Sequence, residues 1–170
     1  DNSGGKITVV GNANLIADTI RNVAGLIEVG NSISFINKSI DNSQGKLVSG
    51  GDVVIDAQGQ NFQNSGGTIE TRGNLDIVAG KLQNSGANLV AGGRIKIVAE
   101  SIESSSSSIR AGAGLAISAS KNVAIDHSNL AAGDSVSLMG DMIQANASSI
   151  VSNGSVALSA ARSLDMKSGE

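Results

Sequence analysis

Apolar residues return along this chain at a fixed phase. With Ile7, Ile27, Leu47, Ile69, Leu89, Ile109, Leu130 and Ile150 as anchors, the spacings are 20, 20, 22, 20, 20, 21 and 20 residues. Six residues past each anchor stand Ala13, Ile33, Val53, Leu75, Ile95, Leu115, Val136 and Val156; eight past it stand Leu15, Phe35, Ile55, Ile77, Ile97, Ile117, Leu138 and Leu158. A further apolar set lies 13 to 15 residues on: Ile20, Ile40, Phe62, Leu82, Ile102, Val123, Ile143 and Leu164. Residues two apart leave the same face of a strand, so offsets six and eight share an inward face. Offset ten continues that face with Ala17, Ala57, Ala79, Ala99, Ala119 and Ala160, interrupted by Asn37 and Gly140. Small side chains there suit a tight corner.

Each copy therefore predicts three short strands joined by turns. Glycines three or four residues past each anchor, from Gly11 to Gly154, suit positive φ or close backbone approach. Twenty residues are too few for a β-α-β crossover or a propeller blade but enough for one turn of a coil. Stacked coils put every apolar column in register and pair each strand with its equivalents above and below. The prediction is an all-β fold, a parallel β-helix or β-solenoid of about eight coils. Right-handedness is expected from the general preference of parallel crossovers. At about 4.8 Å per strand, such a rod is roughly 40 Å long. The third copy carries two extra residues between Ile55 and Phe62. Because both flanking columns survive, the insertion is expected to bulge near Gln58, Gly59 and Gln60, with Gly59 at its apex.

Composition agrees with strands and turns. The aromatics are Phe35 and Phe62 alone, Pro and Cys are absent, and 22 glycines punctuate Ile, Val, Leu and Ala. Net charge is −3 and the charges are scattered singly, which excludes the basic footprint of a nucleic-acid binder or a polybasic membrane patch. No apolar stretch approaches a membrane-spanning length. The repeat is already under way at Asp1, so residues 1–170 read as a single solenoid segment of a longer protein.

A polar column runs five residues before the anchors: Asn2, Asn22, Asn42, Asn64 and Asn84, then Ser104, Ile125 and Ala145. Asparagines stacked one coil apart can bond to one another and to turn backbone, so the column is expected to be structural rather than a row of binding groups. The acids Asp52, Asp56, Glu70 and Asp76 form no recurring pair suited to acid–base chemistry. His127, beside Asp126 and Ser128, is expected at the surface, on the argument that adjacent strand residues point to opposite faces. The run Ser104 to Ser108 reads as a polar turn. No catalytic, metal or cofactor site is predicted. Between the apolar positions no outward aromatic or charged stripe recurs, and the Gln58–Gln60 loop is the one candidate for a local contact.

The phrase N-S-G-G-x-I-x-x-x-G-N-L-x-I-x-A-x-x-L-x-N-S, as in residues 64 to 85, resembles the roughly 20-residue repeats of filamentous haemagglutinins and of contact-dependent growth inhibition effectors. The resemblance extends over the chain, closest from Asn2 to Ala99 and looser beyond Ser104. It implies a right-handed β-helical filament of an exoprotein at the bacterial cell surface or outside the cell. Its export would be by two-partner secretion, through an outer-membrane transporter engaged by regions not present here. The expected role is a non-enzymatic shaft holding an adhesive or toxic tip away from the producing cell, with neighbouring coils as its immediate partners. The alternative is a module that itself binds host glycans or receptor proteins on a host or target cell, through exposed faces or the Gln58–Gln60 loop.

Overall fold

Runs rich in β-branched residues, bounded by Gly, Asn and Ser, form strands in every copy of the repeat. The structure is a computed structural model that describes residues 1–168. The first coil contributes β1 (Lys6–Val9) and β2 (Ala13–Arg21), and the second β3 (Leu26–Val29) and β4 (Ile33–Asp41). The third has β5 (Lys46–Ser49), β6 (Val53–Asp56) and β7 (Phe62–Gln63). The fourth and fifth have β8 (Thr68–Thr71), β9 (Leu75–Gln83), β10 (Asn88–Ala91) and β11 (Ile95–Glu103). The sixth has β12 (Ser108–Ala111), β13 (Leu115–Ala119) and β14 (Asn122–Ala124). The last two have β15 (Asn129–Ala132), β16 (Val136–Gln144), β17 (Ser149–Ser152) and β18 (Val156–Asp165).

The short first strands of the eight coils make one parallel sheet, β1-β3-β5-β8-β10-β12-β15-β17, and the remaining ten strands make the other. The anchors lie opposite one another from Ile7 to Ile150 without a slip. Offsets six and eight are equally continuous, as Ile77 between Ile55 and Ile97 illustrates. The chain is a β-solenoid of eight coils, and its core is the stack of these columns. Ile33, Val53, Leu75, Ile95, Leu115 and Val136 are all buried, as are both phenylalanines.

Three strands per copy is corrected in six of the eight coils. There offsets six to fourteen form one long strand bent at the small-residue corner, and only the third and sixth coils divide it. The ladder persists through the bend because each coil follows its neighbour: Ala17 pairs with Asn37, the pairing skips one residue, and Thr19 pairs with Ser39. Where a coil carries extra residues, at 58–61 or at 120–121, the strand parts, although Ser120 and Lys121 still donate to the Ala99 and Glu100 carbonyls of the preceding coil. In the eighth coil the extra residue after Ala160 is absorbed as a bulge and β18 runs on.

The glycines past the anchors serve close approach, not positive φ. A Cβ on Gly30, Gly50, Gly112 or Gly133 would lie 2.0 to 2.1 Å from a carbonyl oxygen of the preceding coil. Positive φ falls instead three residues before each anchor, at Gly4, Ala24, Gln44, Gly66, Gly86, Ser106, His127 and Ala147.

Candidate functional site

The polar corner is built around that positive-φ residue. Gly5, Gly25, Gly45 and Gly67 each donate their N–H back to the carbonyl of the asparagine three residues earlier, at 2.9 to 3.1 Å. Closing the turn in this way aims the asparagine side chain along the rod. Asn2 Nδ2 donates to Asn22 Oδ1 at 2.6 Å, and Asn22, Asn42 and Asn64 each donate onward to the next asparagine at 2.7 Å. Asn84 Nδ2 ends the series by donating to Ser104 Oγ at 2.9 Å. The amides from Asn22 to Asn84 are buried. All bonds run in one direction, so each amide from Asn22 to Asn84 both accepts and donates, and Asn2 only donates.

In four of the five asparagine coils a glycine two residues before the anchor makes room for this amide, and beside Asn84 the position is the buried Ala87. A Cβ on Gly45 would sit 2.7 Å from Asn42 Oδ1 and 2.1 Å from the Asn22 carbonyl oxygen; one on Gly67 would sit 2.5 Å from Asn64 Oδ1. Where the amides stop, the glycine is replaced by Ser107, Ser128 and Ser148, which sequence reasoning passed over. Ser107 Oγ lies 2.7 Å from Ser104 Oγ and donates to the Ser104 carbonyl at 2.6 Å. Ser128 Oγ reaches the same carbonyl at 2.5 Å and accepts the Ser107 N–H at 3.1 Å. Ser148 Oγ accepts the Ser128 N–H and donates to the Ile125 carbonyl. Ile125 and Ala145 can then be apolar because the hydroxyl satisfies the turn from the opposite side. The exchange of Asn-x-x-Gly for Ile-x-x-Ser or Ala-x-x-Ser was visible in the repeat, three residues apart. The serine run is thus a turn in which Ser104 and Ser107 face inward and are buried.

The insertion folds as a tight turn. Gln60 N–H donates to the Ala57 carbonyl at 2.8 Å, and the two central residues, Gln58 and Gly59, have φ of 49° and 74°. That pair of positive φ values is the type I′ pattern. Asp56 Oδ1 accepts the Gln58 N–H at 2.8 Å. The turn rests on the fourth coil, where Gly80 donates to the Gln60 carbonyl at 2.7 Å and a Cβ on Gly80 would meet the Gly59 oxygen at 2.1 Å. Gln58, Gly59 and Gln60 are exposed.

The carboxylates are engaged one by one. Asp52 Oδ1 accepts the Asn74 N–H at 2.7 Å, Asp76 takes both arms of the Arg94 guanidinium at 2.9 and 3.0 Å, and Glu70 faces Lys46 at 3.5 Å. Among the described residues no group of three or more His, Cys, Asp or Glu is placed to hold a metal ion. His127 is exposed while Ser128 is buried, so the two do not meet as a nucleophile and base. The reason differs from the expected one: His127 sits at the positive-φ position of a turn, not on a strand. The hydrogen bond from Lys121 holds the Glu100 carboxyl below its ordinary value, and that from Arg162 does the same for Asp141. Both are surface pairs between successive coils.

Inside, the void lined by Ile20, Phe35, Ile40 and Phe62 measures about 10 Å³, no more than the minimum a single water requires. The interior is therefore packing and not a ligand chamber. Outside, offset nine of the long strands carries Ile16, Ile36, Val78, Val98 and Met139, an exposed apolar stripe that is neither aromatic nor charged.

A family model described as a haemagglutinin repeat matches residues 8–66 and 59–169. No curated protein and no solved structure matches the chain.

Proposed function

We propose that this chain, which belongs to the haemagglutinin repeat family, is a length of shaft in a filamentous exoprotein secreted from, or displayed on, a bacterial cell. The observation that carries the proposal is the unbroken register of the inward columns through all eight coils. A structure in which each coil satisfies only its neighbours transmits length and stiffness, and its stability is close to a sum of local terms. Residues 1–170 are then one solenoid segment of a longer protein, exported by two-partner secretion through an outer-membrane transporter, with an adhesive or toxic tip carried elsewhere. The lack of Cys and the aliphatic interior suit a chain that crosses the membrane unfolded and folds coil upon coil outside.

The second reading is that the segment is itself adhesive, and the exposed type I′ turn at Gln58–Gln60 favours it because that coil alone carries a two-residue insertion. Binding of the purified segment to intact epithelial and bacterial cells, with and without residues 58–60, separates the two. A shaft shows no saturable binding. Saturable binding that disappears with the turn would replace the shaft by a receptor-binding module.

A further inference from the structure

From the first coil to the last, the outward column at offset nine reads Ile16, Ile36, Asp56, Val78, Val98, Ser118, Met139, Ser159, each opposite the next in the sheet. The large apolar members are between 36% and 69% exposed. The order is nearly its own reverse about the midpoint between Val78 and Val98. Reversed, Val98 falls on Val78, Ser118 on Asp56 and Met139 on Ile36, leaving Ile16 against the small Ser159 at the ends.

The outward column at offset seven is complementary to its own reverse rather than identical to it. Reversal sets Lys96 on Asp76, Ala116 on the exposed Val54, and Ser137 on Ser34. Just past the corner, the Lys38–Asp18 pair would face the Arg162–Asp141 pair, Lys38 towards Asp141 and Asp18 towards Arg162. Away from the two ends, where Ile16 meets Ser159 and Ala157 meets Asn14, large apolar positions meet apolar positions, and every charge reversed in this way meets its opposite or a neutral residue.

We propose that this face pairs laterally with the same face of a second copy, the two rods antiparallel. The two-fold axis lies in the interface, parallel to the strands, between the coils of Val78 and Val98. Such an axis keeps each column opposite itself while reversing the coil order, as an isologous contact requires. The parallel alternative keeps the coil order and brings Asp56 against either Asp56 or Val54, a like-charge or desolvating contact. Eight coils at ~4.8 Å, across about 13 Å of strand, bury on the order of 1,000 Å² between two copies. That is the lower limit for a specific interface, so the pair forms in a concentration-dependent equilibrium. The pairing goes beyond the shaft reading and does not depend on it: a solitary rod remains a shaft.

The chain has no cysteine, so single thiols can carry spin labels at the rim of the face. Asn12→Cys lies on the first coil and Gly114→Cys on the sixth. Antiparallel pairing places the two Asn12→Cys labels seven coils apart along the rod, about 34 Å, and the two Gly114→Cys labels three coils apart, about 14 Å. Equal short separations at both sites would mean parallel pairing, and equal separations of about a rod length, ~38 Å, would mean end-to-end association. Either overturns the proposal, as does a monomer at every concentration reached in sedimentation equilibrium. Val78→Lys, an outward change expected to leave the melting temperature in place, should raise the dimer dissociation constant about tenfold or more. Unchanged dimerisation of that variant would also defeat the proposal.

Discussion

Asn64 shows how much one side chain can decide in this fold. It is fully buried, accepts from Asn42 and donates to Asn84. In Asn64→Ala the Asn84 Oδ1 loses its donor and Asn42 Nδ2 keeps only the Gly45 carbonyl at 3.3 Å. The expected loss is about 2–3 kcal/mol, read from urea unfolding. Asn2→Ala, at the exposed end of the same column, should cost less than about 1 kcal/mol. Asn37 is the opposite case. It stands in the alanine column, donates Nδ2 to the Ala17 carbonyl at 2.7 Å, and leaves its own buried Oδ1 without a partner. Asn37→Ala removes the unsatisfied carbonyl and restores the column, so the melting temperature should hold or rise, by an amount worth up to about 1 kcal/mol. A clear fall would mean that the Ala17 bond outweighs the orphaned oxygen. Spacing places Asn37 in the alanine column and Asn64 in the asparagine column, but which of their polar atoms find partners is decided by the neighbours one coil away.

The turns are where the sequence was hardest to read. Glycine after the anchor admitted two explanations, and the structure selects stacking: Gly112 lies under the Gly92 carbonyl with no room for a Cβ. Gly112→Ala should therefore cost at least about 2 kcal/mol, whereas Gly11→Ala, on the first coil with open space around it, should be nearly neutral. Thermal melts of the two variants check the contrast. Positive φ fell on Ala24, Gln44, Ser106 and Ala147 as readily as on glycine, because the turn is imposed by the ladder on both sides rather than by the residue's own preference. At the surface, Glu100 and Asp141 have lowered carboxyl pKa values through Lys121 and Arg162. Lowered folded values mean that their contribution is present above the ordinary carboxylate range and is lost as pH falls through the lowered values. Carboxyl NMR should find both titrating low, and Arg162→Ala should move Asp141 up while leaving Glu100 in place. Exposed pairs of this kind add little to stability.

At the scale of the whole rod, the inner coils have neighbours on both sides and the outer coils on one. Ile7, Val9 and Leu15 are only partly buried, and Val156 and Leu164 are exposed, while their equivalents in the third to sixth coils are closed off. Hydrogen exchange should be slowest for β8 to β12 and fastest for β1, β2, β17 and β18, since local opening of an end breaks one interface and opening of the middle breaks two. Uniform protection along the rod would show that the eight coils unfold as one unit. Ile77→Asp, with Ile55 and Ile97 on either side, should cost about 4 kcal/mol or more, and its melting curve tests the inward assignment of offset eight.

The coil count, the inward columns and the position of the insertion were all legible in the sequence. A solenoid aligns equivalent residues, so spacing alone states which side chains are neighbours. The family phrase was legible for the same reason. What only the tertiary structure decided concerns the backbone between columns: two strands rather than three in six of the eight coils, glycine for contact rather than φ, and serine taking over from asparagine at Ser107. These depend on where a carbonyl of the adjacent coil points, which the one-dimensional pattern does not carry. The outward stripe was present in the letters, but its exposure and near-palindromic order acquire meaning only when the coils are stacked and a face exists for a second copy to meet.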